Sequence, residues 1–430
     1  MTLHRREFLK RGAGLVTSGL VVPAFLAETA RLLDGGPSVA QASPLLAVPG
    51  GAAVAQRAGD PSRKILVVLL LAGGNDGMNT LVPHGDPLYY QARPTLAVPR
   101  EQVLQINDSV GLSPALRQLK VRYDRGQVAV VQGVGYPNPN RSHFRAMDIW
   151  QTAVPERIEP TGWLGRYLQS CSCATDKHLE GISVGATVQK SFWTELTLVP
   201  AISNLAAFQF GTPRANPAAR SYELEALRRA LTQSRGRPEE EFLRQSTQIA
   251  LDDADTLGQV AQSYQSTVEY PQSPLGESLK TIAQVIAGDV GTRVFFATLG
   301  GFDTHANQIG QQQRLLTDLD NAVEAFMQDV ELLKRQDDVM LMTFSEFGRR
   351  VHENASNGTD HGTAEPLFMI GGGVKGGLHG TYPSLSDLDR ADMKHTTDFR
   401  SVYSSVLQDW MGVPSETILG GTFDKLPIVA

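Results

Sequence analysis

Arg293-Val-Phe-Phe-Ala-Thr-Leu-Gly-Gly-Phe-Asp-Thr-His305 opens the stretch of sequence that decides the fold. Its apolar run ends at two glycines and is followed at once by Asp303 and His305. The pattern recurs at Val339-Met-Leu-Met-Thr-Phe-Ser-Glu346, and Gly358-Thr-Asp-His361 then precedes a third apolar run. Short apolar runs separated by a long amphipathic helix are typical of buried parallel strands, so we predict an α/β protein.

The polar residues of this stretch follow or precede the predicted strands directly. In open α/β sheets, ligands collect where loops leave the carboxyl ends of strands, so these side chains are expected near one rim. Carboxylates and imidazoles are metal ligands, which predicts a metal-dependent hydrolytic site. The alternative is that each residue is only a loop cap or turn former. Several loops of this kind favour a shared site, which would include Asp303, His305, Glu346 and His361.

An earlier apolar run, Lys64–Ala72, predicts a further buried strand. It ends in a glycine-bracketed turn that carries Asn75, Asp76 and Asn79. Asp76 alone fits an ordinary Asp-Gly turn. Three oxygen-bearing side chains at the mouth of a central strand favour Asp76 as a metal ligand, because hard cations bind oxygen.

Ser142 follows the predicted strand 127–132 and a stiff, proline-containing loop. It occupies the N-cap position of a predicted helix over 144–153, so capping is one interpretation. The same position would aim its hydroxyl into the field of a helix N-terminus, which favours bound anions, so a nucleophile is the other. Arg141 and His143 beside it are candidates for holding anionic oxygens.

The N-terminus is predicted to be an export signal. Arg5 and Arg6 form a twin-arginine pattern before an uncharged apolar segment, and Ala40-Gln-Ala42 supplies a small-residue cleavage site. The alternative is an ordinary basic amphipathic start. We predict a signal peptide at 1–42, recognised by the twin-arginine translocase, and a periplasmic location. A retained leader would tether the protein to the inner membrane.

The rest of the chain divides into a flexible lead-in at 43–63 and one α/β domain at 64–430. Within that domain, residues 215–290 are rich in charge with apolar residues at helical spacing, which predicts a helical insertion. The net charge of −6, with no basic cluster in the mature part, disfavours nucleic acid as a partner. Cys171 and Cys173 are too close in sequence to bridge readily, and the oligomeric state is not predicted.

Several motifs in order resemble one known family. They are the leader, Leu70–Pro83, Gly301-Phe-Asp-Thr-His305, Phe344-Ser-Glu-Phe-Gly-Arg349 and Asp360-His-Gly-Thr363. Together they are similar to the exported bacterial family called domain of unknown function 1501, across nearly all of the mature chain. The family has no established activity, so this resemblance implies membership and not a reaction.

More remotely, the layout resembles the alkaline phosphatase superfamily, which includes sulfatases. This resemblance implies a three-layer sandwich with a mostly parallel central sheet between helices. It also implies metal ligands at Asp76, Asp303, His305 and His361, with Ser142 as nucleophile, and Glu346 stands where the superfamily usually has an aspartate. The chain departs from that superfamily where Phe347 replaces a usual histidine, which favours a single metal site.

The leading hypothesis is therefore an exported hydrolase of a small anionic phosphate or sulfate ester. Its cofactor would be a divalent metal such as zinc, manganese or calcium. Arg141 or Arg349 would stabilise the ester's equatorial oxygens. The alternative is a non-catalytic envelope protein that keeps the fold with a degenerate metal site. Carbohydrate binding is disfavoured, because aromatic residues make up only 7% of the chain and form no cluster.

Overall fold

A computed structural model describes residues 64–171, 179–194, 199–205, 217–232 and 238–430. The predicted signal peptide, the predicted lead-in and Cys173 lie outside the described residues. Within the described ranges, no helix is both long enough and apolar enough to cross a membrane.

The strands, in chain order, are β1 Ile65–Ala72, β2 Leu81–Val82, β3 Leu104–Gln105, β4 Gly111–Leu112, β5 Val128–Gly135, β6 Gly181–Val184, β7 Ala201–Ile202, β8 Val294–Gly300, β9 Val339–Phe344, β10 Glu365–Ile370, β11 Gly377–His379, β12 Leu388–Asp389, β13 Asp392–Met393 and β14 Thr397–Asp398. The α-helices are α1 Gly77–Thr80, α2 Pro87–Ala92, α3 Arg117–Asp124, α4 His143–Thr152, α5 Trp163–Cys171, α6 Pro217–Leu231, α7 Pro238–Ser263, α8 Pro274–Gly288, α9 Gln308–Leu332, α10 Phe399–Ser405 and α11 Glu416–Leu419. A π-helical turn, Val406–Trp410, continues α10.

The central element is a nine-stranded sheet in the order β11-β5-β10-β9-β1-β8-β6-β7, with β14 also paired to β5. β1 lies in the middle, parallel to both β8 and β9. Its sequence ILVVLLLA is apolar throughout because both faces of the sheet are covered.

The two faces of β1 contribute to two separate hydrophobic cores. Ile65, Val67 and Leu69 pack in one core with α7, α8 and α9. Leu66 and Val68 pack in the other core with α4, α5, α10 and the π-helical turn. Successive strand side chains point to opposite faces, so one strand can serve both cores. The predicted three-layer α/β architecture is thereby confirmed.

One strand of the main sheet departs from the expectation of parallel strands. β10 runs antiparallel to both of its neighbours, β9 and β5. The loop before β10 therefore lies at the same edge as the loops that follow β1, β5, β8 and β9. Because β10 is reversed, His361, which precedes β10, lies on the same rim as Asp303, which follows β8.

A three-stranded sheet, in the order β2-β4-β3, lies outside the main sheet. Its neighbourhood has a third small core, which includes Met78, Val82 and Tyr89. The range 215–290, which we interpret as an insertion, contains α6, α7 and α8 between β7 and β8.

Candidate metal centre

Histidine and aspartate side chains from three loops meet at the carboxyl edge of the sheet. His143 begins α4 after β5, Asp303 and His305 follow β8, and His361 precedes β10. The ligand atoms of His143, Asp303 and His361 all lie within 4.8 Å of one another. The structure thus brings together residues that are far apart in sequence.

The distances within this group are those of ligands that share one small cation. His361 Nε2 lies 3.1 Å from Asp303 Oδ1, and His143 Nε2 lies 3.5 Å from Asp303 Oδ2. His305 Nε2 lies 3.1 Å from Asp303 Oδ1 and 2.9 Å from His361 Nε2. Ligands at zinc's usual bond length, in a tetrahedron, are roughly 3.3 Å apart. We call His143, Asp303, His305 and His361 the His–Asp group.

Two of these imidazoles are oriented through their other ring nitrogen. His143 Nδ1 lies 2.7 Å from Glu346 Oε1, and His361 Nδ1 lies 2.8 Å from the carbonyl oxygen of Arg141. A carbonyl or carboxylate oxygen accepts, so each Nδ1 carries the hydrogen and donates it. In the neutral rings, the Nε2 atoms that face Asp303 then carry a lone pair and no hydrogen.

This arrangement fits a bound metal. His143 Nε2 is buried and has no hydrogen-bond partner in the described part of the chain, although it points toward the Asp303 carboxylate. Lone pairs of His143 and His361 therefore converge on a carboxylate without a hydrogen between them. Imidazole nitrogens backed by a carboxylate or carbonyl acceptor are the usual environment of metal-ligating histidines. The donor set of imidazole and carboxylate suits zinc better than calcium, which takes oxygen ligands.

Phe347 packs against two histidines of the group. Its ring centroid lies 4.5 Å from that of His361 and 4.9 Å from that of His143. The ring is buried, and its other edge is close to Gly74, where an added Cβ would lie 2.4 Å from Phe347 Cε2. Gly74 also has φ of +78°, so its lack of a side chain serves both the turn and the packing.

Arg349, which we predicted to contact substrate, is instead buried among the rim loops. Its guanidinium donates to the carbonyl oxygens of Gly73, Gly74, Phe302 and Thr359. It also donates to Asp303 Oδ1 at 2.8 Å. Burial raises the pKa of Asp303, but the hydrogen bond from Arg349 and the charge of its guanidinium outweigh burial and lower this pKa to about 2. Arg349 therefore positions Asp303 and keeps it charged.

Glu346 lies directly behind the His–Asp group. Its Oε1 accepts from the Gly73 amide at 2.9 Å as well as from His143. The Glu346 side chain is almost fully buried. Glu346 is not one of the three residues whose ligand atoms lie within 4.8 Å of one another. We predicted a direct ligand here, and the structure places Glu346 as the carboxylate that orients His143.

Asp76 lies in a different, buried network. Its carboxylate contacts Arg93 and the Gln308 side chain amide, and it is fully buried. Arg93 also donates to the carbonyl oxygens of Arg350 and Val351. A buried carboxylate requires such a partner charge. The structure does not bring Asp76 into the His–Asp group, and Asp76 instead joins the loops behind it.

Ser142 and Arg141 precede His143 directly. Ser142 is exposed at the N-cap position of α4, where its side chain makes no capping hydrogen bond. The Arg141 guanidinium contacts the Asp392 carboxylate, while its carbonyl oxygen accepts from His361. Ser142 thus directly precedes a member of the group in sequence, and its hydroxyl has no capping role.

His143 is the member of the group that sequence reasoning did not name as a metal ligand. We considered it only as a residue that could hold anionic oxygens. The position of His143 could have identified it. His143 begins the helix that follows a buried strand, just as Asp303 follows β8. Its orientation depends on Glu346, which is 203 residues away in sequence.

Solved structures similar to this chain include a protein of the alkaline phosphatase superfamily from Vibrio parahaemolyticus, with a TM-score of 0.37 and 10% identity over 84% of this chain and 69% of that one. The PsFucS1 sulfatase from Pseudoalteromonas sp. has a TM-score of 0.37 and 10% identity over 84% and 70%. The lipoteichoic acid synthase LtaP from Listeria monocytogenes has a TM-score of 0.36 and 10% identity over 85% and 76%.

No protein of curated function matches the chain. The match to a family is extensive. The family described as "Protein of unknown function (DUF1501)" matches residues 63–416, and the chain therefore belongs to this family.

Proposed function

We propose that this chain is an exported, metal-dependent hydrolase of phosphate or sulfate esters. The observation that carries the proposal is the His–Asp group, with the Nε2 atoms of His143 and His361 both turned toward Asp303. Export rests on the twin-arginine pattern at Arg5 and Arg6.

The group is open to solvent on one side. The side chains of Asp303 and His305 are 48% and 45% exposed, whereas the supporting Glu346 and Arg349 are buried. Structural zinc sites are closed by four protein ligands, and catalytic sites keep a position for substrate. An exposed, rigidly supported group is therefore suited to binding a ligand from solution.

We propose zinc as the metal, held by His143, Asp303 and His361, the three residues whose ligand atoms cluster, with the exposed His305 beside the position left for substrate. When bound, a zinc ion supplies Lewis-acid polarisation of the ester oxygens. Glu346 and Arg349 hold His143 and Asp303 in place through the contacts described above.

Ser142 is the proposed nucleophile. Its oxygen would attack the phosphorus or sulfur atom in line with the ester bond, which breaks with its electrons leaving on the alcohol oxygen. The serine proton passes to solvent or to an unprotonated imidazole, and the departing alkoxide takes a proton. Water then attacks the same phosphorus or sulfur atom, the bond to the Ser142 oxygen breaks, and Ser142 regains a proton from the attacking water as phosphate or sulfate leaves.

The test combines metal content with turnover of 4-nitrophenyl phosphate and 4-nitrophenyl sulfate. Ser142→Ala should abolish turnover and leave the bound metal unchanged. His143→Ala should lose both. Ser278→Ala, on the exposed surface of α8, is the matched control and should change neither. Full turnover by Ser142→Ala would remove this residue from the mechanism.

A second candidate function is a non-catalytic envelope protein that retains a structural ion. The observation that favours it is Phe347, whose ring lies against His143 and His361 and covers one side of the group. A chain that binds zinc but turns over neither ester, with or without Ser142, would support this alternative over the hydrolase.

A further inference from the structure

Two arginines share one carboxylate beside the His–Asp group. The Arg141 guanidinium contacts Asp392 Oδ2, and Arg350 Nε lies 3.8 Å from Asp392 Oδ1. Asp392 belongs to β13, in the two-stranded hairpin with β12. We call Arg141, Arg350 and Asp392 the arginine pair with its carboxylate.

The exposures of the three side chains differ. Asp392 is only 2% exposed, while the side chains of Arg141 and Arg350 are 33% and 37% exposed. Guanidinium groups stay charged at any physiological pH, so both arginines remain positive beside Asp392. The carboxylate lies inside, and both guanidinium groups are partly open to solvent.

Arg350 is poorly bonded where it lies. Its Nε is buried and has no hydrogen-bond partner among the described residues, and neither has Asp392 Oδ1. At 3.8 Å the two atoms attract but form no hydrogen bond. A buried donor without an acceptor costs free energy, and the exposed part of the Arg350 guanidinium can donate to an oxyanion that arrives from solution.

The arginine pair is joined to the His–Asp group through the main chain. The Arg141 carbonyl oxygen accepts from His361 Nδ1 at 2.8 Å. The Arg350 amide donates to the Asp360 carbonyl oxygen at 3.0 Å, next to His361. An anion on the arginines and an ester on the His–Asp group would therefore be neighbours.

We propose that Arg141 and Arg350 form a second anion-binding subsite, which takes a further sulfate, phosphate or carboxylate group of the same substrate. Planar guanidinium groups bind such oxyanions through paired hydrogen bonds. The assignment to the substrate rests on the proposed hydrolase, whereas anion binding itself does not. The substrate class becomes an ester with at least two anionic groups.

The experiment measures binding of inorganic sulfate to the full chain by calorimetry, with and without zinc. In the zinc-free chain, sulfate should bind saturably. Arg350→Gln should weaken sulfate binding about tenfold, as expected for the loss of one charge-assisted contact. Asp392→Asn should tighten sulfate binding, since it removes the carboxylate that competes for the arginines. Arg229→Gln removes an exposed arginine paired with Glu225 on α6 and should have no effect.

A purely structural role would give a different pattern. Arg350→Gln would then lower stability and leave sulfate binding unchanged, and Asp392→Asn would not tighten it. Either result, or equal weakening by Arg229→Gln, would overturn the subsite. If Asp392→Asn fails to fold, the comparison of sulfate binding by Arg350→Gln and Arg229→Gln decides whether the subsite exists. If the anion subsite is overturned, ester turnover by the chain is still expected, so this outcome is distinguishable from failure of the proposed hydrolase.

Discussion

At the scale of single residues, the His–Asp group depends on the hydrogen bonds that aim its rings. Glu346 holds the Nδ1 hydrogen of His143, and the Arg141 carbonyl oxygen holds that of His361. These bonds select the tautomer and raise the basicity of the nitrogen that faces the group. Glu346 is therefore joined to the group through its contact with His143.

Replacing Glu346 by Gln should weaken zinc binding by about 10- to 100-fold while the protein remains folded. The amide oxygen can still accept from His143 Nδ1, but it lacks the negative charge. Competition titration with a zinc chelator measures the change. Glu331→Gln, which alters a carboxylate paired with Arg122, is the control. Unchanged zinc affinity in Glu346→Gln would show that His143 needs no such orientation.

Glu365 gives a prediction on pH at the same scale. Burial raises the pKa of Glu365 well above its usual value of 4.5, the Ser345 amide lowers it less, and the charge of Glu346 raises it further. The folded protein therefore keeps the Glu365 proton that the unfolded chain loses above that value. Stability from this group is complete below about pH 4.5 and declines as pH rises toward the folded pKa.

Glu365→Gln should remove this pH dependence, since the amide does not ionise. From pH 5 to pH 8, the free energy of unfolding of the original protein should fall relative to the variant, by up to about 1.4 kcal/mol for each pH unit. Urea unfolding at both pH values measures it. Parallel pH profiles for the two proteins would mean that Glu365 is ionised when folded.

At the scale of elements, the direction of β10 and a short bridge before it place His361. Arg349 and His361 form an isolated antiparallel bridge between the loop after β9 and the loop before β10. Gly362 makes this approach possible, because an added Cβ would lie 2.4 Å from the Arg349 carbonyl carbon. The two loops can be this close only with glycine at that position.

Gly362→Ala should lower the free energy of unfolding by about 1–3 kcal/mol and weaken zinc binding, because the overpacked bridge displaces His361. The matched control is Gly310→Ala in the first turn of α9, where a Cβ would meet nothing within 4 Å. That variant should be stabilised by about 0.5 kcal/mol. Thermal and urea unfolding compare the two. Equal effects would mean that the bridge tolerates a side chain.

At the scale of the whole molecule, the His–Asp group joins loops that follow β5 and β8 to the loop before β10. A metal that binds only the folded protein stabilises all of it. At a free zinc concentration of 100 times Kd, the free energy of unfolding should rise by about 2.7 kcal/mol. Scanning calorimetry with zinc and with a chelator measures the shift.

His361→Gln should lose most of this zinc-dependent stabilisation. His379→Gln is the control, since His379 lies in β11 and contacts the Lys375 carbonyl oxygen. A zinc shift that survives His361→Gln would place the binding site elsewhere in the chain.

The strands that the sequence predicts are those with continuous apolar runs. β1, β5, β8, β9 and β10 lie where the sequence predicted strands, because a strand covered on both faces needs apolar side chains at every position. The expectation that Asp303 and His361 share one rim followed from the positions of those strands. The sequence could not indicate the direction of β10, because the apolar composition of a buried strand is the same in either direction.

Sequence alone therefore determined the layered α/β fold and the loops that carry Asp303, His305 and His361, since both follow from local hydrophobic pattern. Tertiary structure alone decided the roles within those loops. Asp76 pairs with Arg93, Arg349 is enclosed by carbonyl oxygens, and His143 enters the group through Glu346. The physical reason is that tautomer, charge and ring orientation depend on contacts between residues up to 276 positions apart, which no local pattern records.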